Sequence, residues 1–208
     1  MANAVVPTKA NLIAAKKSLS LSKVGYDLMN RKRNILIHEM MLLIDRASHI
    51  QAVIDDTYTA AYAALQQANL TLGICKELSG VVPVETGVQL SFRSVMGVEI
   101  PIVQLESSEV YSKVPYGMAK SNETLDEAYM QFLKVKELTA QLAEVENSVY
   151  RLADAIKKIQ KRANALKNIM IPRLIQSVKF ITDSLEEKER EEFSRMKVIK
   201  AQNTKKDS

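Results

Sequence analysis

Apolar residues recur at steps of four and three along two stretches of this chain, and that repeat restricts the fold more than any other feature. In the first stretch Leu36, Met40, Leu43, Ala47, Ile50, Ile54, Tyr58, Ala61, Leu65, Ala68, Leu72 and Cys75 follow one another at a mean spacing close to the coiled-coil value of ~3.5 residues, with one four-plus-four stutter at Tyr58. In the second, Leu142, Val145, Val149, Leu152, Ile156, Ile159, Ala163, Leu166 and Met170 alternate three and four, and Leu174, Val178, Ile181 and Leu185 continue after another stutter. Seams this long outrun the helices of a compact bundle.

Between the two runs the pattern changes. Five of the six glycines and three of the five prolines fall between residues 73 and 117, where they punctuate regular structure. Within that region Val88, Leu90 and Phe92 recur at every second residue, as do Val98, Ile100 and Ile102 after Met96-Gly97. A period of two with glycine in the turn reads as a β-hairpin at about 88–103. A lone hairpin is marginal in water, so it should pack on the coil or on a partner.

Composition agrees with long helices. The chain has no Trp and only 5% aromatic residues, too few for a core built in the usual way on aromatic area. The expected organisation is all-α dominated: a single elongated domain over 1–208 formed by a long antiparallel two-helix coiled coil. Its parts are an N-terminal helix over 9–78, a central irregular region over 79–118, a C-terminal helix over 119–200 and a polar tail over 201–208. Pro7-Thr8 offers a turn and an N-cap for the first helix, and Ser79-Gly80 a stop. Ser121 and Asn122, with Glu123, Thr124, Asp126 and Glu127, supply caps and acids at the start of the second. Each helix would be on the order of 100 Å long. Folded back on each other, the helices pair residues whose numbers total about 197, which places Pro172 opposite Gly25. Proline removes a helical hydrogen bond, so a bend is expected near Pro172, with Gly25 giving it room.

Charge is segregated along the chain: +6 over 1–33, −7 over 34–130, −1 over 131–150, +7 over 151–179 and 0 over 180–208, which together give the net +5. The closed hairpin would therefore be basic at the end carrying the termini. The runs Arg31-Lys32-Arg33 and 157–162 could meet phosphate, but without interleaved aromatics or a nucleic-acid motif the plainer reading is a solvated coil flank. A fit to an acidic protein collar is a third reading.

Little here suggests chemistry. His38 and His49 are the only neutral-pH bases, and no nucleophile-plus-base motif or Gly-rich phosphate loop is present. Asp55 and Asp56 are adjacent on a helix and point in different directions, which makes a poor metal site. Cys75, the single cysteine, lies on the seam as a small core residue and excludes an internal disulfide. No catalytic residue, metal ligand or cofactor is expected. The N-terminus lacks the pattern of an export signal, and no apolar run approaches the ~18–20 residues of a membrane span.

Several stretches resemble the D subunit of the rotary V-type and A-type ATPases: PTKANL at 7–12, GYDLMNRKRNIL at 25–36, MGVEIP at 96–101, RANALKNIMIPRL at 162–174 and LEEKEREEFSRMK at 185–197. The specific signals are those outside the heptads, MGV with a proline three residues on and the proline within a helix. Asn34 and Ile102 depart from the family, which often carries acids there. The resemblance implies a non-catalytic central rotor shaft that carries torque between a catalytic hexamer of nucleotide-binding A and B subunits and a membrane ring moving protons or sodium. By that resemblance Lys9, Lys16, Lys17, Arg31, Lys32, Arg33, Lys167 and Arg173 would face the hexamer. Val88, Leu90, Phe92, Met96, Gly97, Val98, Ile100 and Pro101 would form a hairpin region near the F subunit. A C/d-type adaptor would join the shaft to the ring, leaving it cytoplasmic and peripheral to the membrane, with no nucleic acid and no direct insertion. The heptads and hairpin alone also permit a coiled-coil scaffold or holdase-type chaperone.

Overall fold

The computed structural model describes residues 6–75, 80–82, 84, 86–105, 115–117 and 121–206. Helix α1 spans Lys9–Leu72, strands β1 and β2 span Val88–Val95 and Val98–Leu105, helix α2 spans Glu123–Ala165, a π-helical turn occupies Leu166–Met170, and helix α3 spans Ile171–Lys206. The chain is thus dominated by two long helical stretches, with an antiparallel hairpin between them in sequence. Packing divides it into two compact units, Met1–Arg33 with Lys157–Ser208, and Asn34–Ile156.

The helix ends have local causes. Thr8 caps α1: its hydroxyl accepts the Asn11 N–H at 3.2 Å and its carbonyl accepts the Leu12 N–H at 3.0 Å. The helix ends at Leu72 rather than at Ser79-Gly80. Gly73 takes the left-handed conformation with φ 81°, and its N–H bonds the Asn69 carbonyl, which closes the last turn. Ser79 itself lies outside the described residues. Asn122 starts α2, its side-chain oxygen accepting the Glu123 N–H at 2.8 Å and its carbonyl the Leu125 N–H at 2.9 Å.

In the first unit Lys9 meets Glu189 at 3.1 Å, and Arg33 donates to Gln160 at 2.6 Å. Leu12 and Ile13 share a shallow cleft with Thr182 and Leu185. In the second unit Tyr58 and Thr139 approach at 3.3 Å, Thr71 and Thr124 at 3.1 Å, and Tyr62 meets Phe132 edge-on at 5.7 Å. The numbers in these five pairs total between 193 and 198, as expected for the antiparallel register.

All of the seam positions that the repeat marks, except Leu72 and Met170, are buried or half-buried. Leu36, Ile50, Ile54, Ala61 and Ala68 of α1 are buried, as are Val145, Leu152, Ala163 and Ile181 of the second helical stretch. Burial in α2 begins well before Leu142, at Leu125, Ala128, Leu133 and Val135. Near the end of α1, Ala68 and Leu125 pack with Tyr116, and Cys75, Val82 and Tyr129 border that cluster. The Tyr116 hydroxyl donates to Asp126 at 2.6 Å. Burial pushes its phenol above the ordinary value of 10.0, and the Asp126 acceptor adds to the shift. A group raised on folding stabilises fully below its unfolded pKa, and that contribution is lost as pH rises toward the folded value. Tyr116→Phe should therefore cost about 1 kcal/mol at pH 7, from the lost hydrogen bond, and flatten the decline in Tm above pH 10. Thermal unfolding across pH 7–11 reads both effects.

A π-helical turn, Leu166–Met170, precedes Pro172, the position where a bend is expected. The Ile171 N–H reaches back five residues to the Leu166 carbonyl, and Pro172 has no N–H to offer Asn168. Gly25 lies within α1 and is half-buried. A Cβ built there would meet nothing within 4 Å, so no close approach requires glycine. Gly25→Ala should accordingly raise stability by about 0.5–1 kcal/mol, the difference in helix propensity, measured by chemical denaturation.

Candidate partner-binding surfaces

The basic residues expected to meet a partner all lie in the first unit. Lys9, Lys16, Lys17, Arg31, Lys167 and Arg173 are exposed, and Lys32 and Arg33 are half-buried. Two of them are engaged within the coil, Lys9 with Glu189 and Arg33 with Gln160. The exposed Lys9 pair is worth little, typically ~0–1 kcal/mol, so Lys9 remains able to exchange partners. Residues 1–33 carry +6 and 157–208 carry +7, whereas 34–156 carry −8. The charge boundary thus coincides with the packing boundary. Exposed apolar side chains share the first unit with these cations, among them Ile13, Leu21, Leu28, Ile169 and Phe180. Two helices can bury only facing stripes, so these apolar side chains lie outside the seam.

The hairpin is the second surface. Val95 pairs with Val98, leaving Met96-Gly97 as a two-residue turn with φ 51° and 74°, the left-handed pair that a type I′ turn requires. Met96 holds that conformation at a cost of roughly 1–2 kcal/mol relative to glycine. Register places Val88, Leu90 and Phe92 opposite Leu105, Val103 and Pro101, and Arg93 opposite Ile100. The eight hairpin residues singled out in the sequence therefore divide. Val88, Leu90, Phe92, Met96 and Gly97 are exposed, Val98 is half-buried, and Ile100 and Pro101 are buried, Ile100 with 2% exposure. The last two are covered within this chain.

What seats it lies on α2, in residues that the heptad pattern does not mark. The Val103 N–H donates to the Glu144 carboxylate at 2.8 Å, and Arg151 donates to the Glu99 carbonyl at 3.3 Å. Arg151 also lies 5.5 Å from the centroid of the Phe92 ring, within cation–π range. Between them Ser148, 1% exposed, brings its hydroxyl to 3.5 Å from the Pro101 carbonyl. That hydroxyl has one proton, and the Glu144 carbonyl at 2.7 Å is the better acceptor, so the Pro101 approach is a packing contact. Glu144 further meets Arg46 of α1 at 3.8 Å. The sequence does carry one signal for this seat: Ser148 lies between Val145 and Leu152 on an otherwise apolar stripe.

His38, His49, Asp55 and Asp56 are exposed, and Cys75 is half-buried beside the Tyr116 cluster. Among the described residues no group of His, Cys, Asp and Glu could hold a metal ion, and no helix is long and apolar enough to cross a membrane.

Residues 11–201 match the family described as the D subunit of ATP synthase. The chain belongs to the ATP synthase D subunit family. Among its relatives, the D subunit of the V-type ATP synthase of Thermotoga neapolitana is 46% identical over 198 residues, covering 94% of this chain and 97% of that protein. The D subunit of the A-type ATP synthase of Thermococcus kodakarensis is 36% identical over 200 residues, covering 95% and 94%. That of Methanopyrus kandleri is 36% identical over 198 residues, covering 94% and 85%. The family match spans both compact units and the hairpin. It makes the chain a component of V/A-type ATP synthase assemblies.

Proposed function

We propose that this chain is the non-catalytic central rotor shaft of a V/A-type rotary ATPase, carrying torque between the catalytic hexamer of A and B subunits and a membrane ring that moves protons or sodium. The observation that carries the reading is the match to the D subunit family over 11–201, on a chain whose long helices pair in antiparallel register. Interlocked seams resist bending and twisting better than a single helix does, which a torque-bearing element needs. The first unit, basic and apolar at its surface, suits enclosure by the hexamer. Its exposed lysines and arginines would make many weak, exchangeable contacts, which allow turning without sticking. A shaft that presents different side chains to each catalytic site biases those sites in turn, because a partner shifts an equilibrium only through unequal contacts with its states. The exposed residues Val88, Leu90, Phe92 and Met96 form the surface nearest to the F subunit, and a C/d-type adaptor joins the shaft to the ring.

Reconstitution with the catalytic hexamer tests this. The intact chain should support ATP-driven rotation in single-molecule assays, and a chain lacking 88–103 should lose binding of the F subunit or stimulation of hydrolysis. A chain that forms homo-oligomers binding unfolded clients, and neither joins the hexamer nor rotates in it, would overturn the reading in favour of a holdase-type scaffold.

A further inference from the structure

A two-stranded hairpin has two open edges, and α2 meets one of them. Val95 and Val98 flank the two-residue turn as a hydrogen-bonded pair, so in β2 the even-numbered residues bond to β1 and the N–H and C=O groups of Glu99, Pro101 and Val103 point away from it. Pro101 has no N–H, and at an outward position its absence costs no ladder bond. Glu144, Ser148 and Arg151 stand at successive steps of four and three, one face of a helix, and meet Val103, Pro101 and Glu99 in reverse order.

The residue types follow from the two pitches. Four strand residues from Glu99 to Val103 advance ~13.6 Å, and seven helical residues from Glu144 to Arg151 advance ~10.5 Å. The mismatch of about 3 Å falls at the two ends, where long side chains reach outward. The middle contact falls on Ser148, a small and almost wholly buried side chain whose hydroxyl lies 3.5 Å from the Pro101 carbonyl, which leaves little space for a larger residue. Register is fixed as well. A slip of the strand that brought Pro101 opposite Glu144 would leave the carboxylate with no N–H to accept.

We propose that Glu144, Ser148 and Arg151 form a clip that locks the hairpin onto α2 in one register, with Arg151 holding the Phe92 ring from the same helix face. The clip stands on these contacts alone. Its consequence, that it sets how Val88, Leu90, Phe92 and Met96 are presented to a partner, rests on the rotor reading above. All three are positioning residues.

Hydrogen exchange followed by NMR on the full chain tests the clip. In Glu144→Ala the Val103 amide should exchange at least tenfold faster, while the ladder amides of Ile100 and Ile102 stay protected, because the hairpin loosens without unfolding. Glu144→Gln, which keeps an acceptor of the same reach, should restore most of the protection. Ser148→Ala should leave exchange unchanged, and Ser148→Leu should accelerate Val103 as Glu144→Ala does. An unchanged Val103 rate in Glu144→Ala, or equal acceleration of the ladder amides, would overturn the clip. In the reconstituted complex, Glu144→Ala should then reduce stimulation of hydrolysis severalfold, with Glu144→Gln rescuing it. Loosened exchange with undiminished stimulation would leave the clip standing and overturn the assignment of the hairpin to a partner.

Discussion

Leu152→Ala should lower the unfolding free energy by about 2–5 kcal/mol, the range for removing a wholly buried leucine. At ~2–4 °C per kcal/mol for a chain of this size, the melting temperature should fall on the order of 10 °C. The size of the effect follows from how little this architecture buries. Two helices bury only facing stripes, and Leu152, with 0% exposure, is among the largest fully buried side chains of the described residues. Tyr150, two residues away and exposed, is the matched control. Tyr150→Ala should change stability by no more than about 0.5 kcal/mol. Urea titrations of both variants, followed by helical circular dichroism, make the comparison. A loss below about 1 kcal/mol for Leu152→Ala would mean that the seam is not what holds the coil.

The seam was legible because a repeat summed over many heptads outweighs any local ambiguity. Leu36, Ile50, Ala61, Val145 and Ile181 are buried for the reason their spacing gave. Leu72, at the last position of α1, is exposed, because Gly73 turns the chain away before another turn of helix can cover it. The hairpin was legible from the change of period and from Met96-Gly97, which form its turn. Its seat was not. Glu144 and Arg151 are ordinary helix-surface residues in any heptad pattern, and they acquire a role only when a strand edge with alternating outward groups lies against them. A repeat reports which residues face inward; it carries no information about which polar residues meet a distant backbone. The same limit applies to Arg33, a surface cation by sequence and a coil-spanning donor to Gln160 in the structure.

The helix irregularity before Pro172 has two possible causes, and the second prediction separates them. One is the proline, which withholds an N–H from the Asn168 carbonyl and presses its ring toward that oxygen. The other is the seam. Leu166, Met170 and Leu174 are spaced four and four, one residue more than the three-four alternation, and a π turn absorbs one extra residue locally. Met170, at the end of that turn, is 44% exposed, while Leu166 and Leu174 on either side are half-buried. The seam thus steps over Met170. Pro172→Ala should stabilise the isolated chain by roughly 1–3 kcal/mol, up to the full difference in helix propensity, since an amide at 172 can bond the Asn168 carbonyl. The π turn should nonetheless persist, because the stutter remains in the sequence and straightening the helix would rotate either Leu166 or Leu174 off the seam. The measurements are a melting curve and a crystal structure of Pro172→Ala. Stabilisation with the Ile171 N–H still bonded to Leu166 assigns the turn to the seam. A return to regular four-residue bonding through 166–172 assigns it to the proline and refutes the stutter as its cause. If the chain turns inside its hexamer as proposed, the two outcomes also separate in rotation assays. Under the first the geometry around Lys167 and Arg173 is unchanged and rotation continues at the wild-type rate, and under the second those side chains shift around the helix axis and rotation slows.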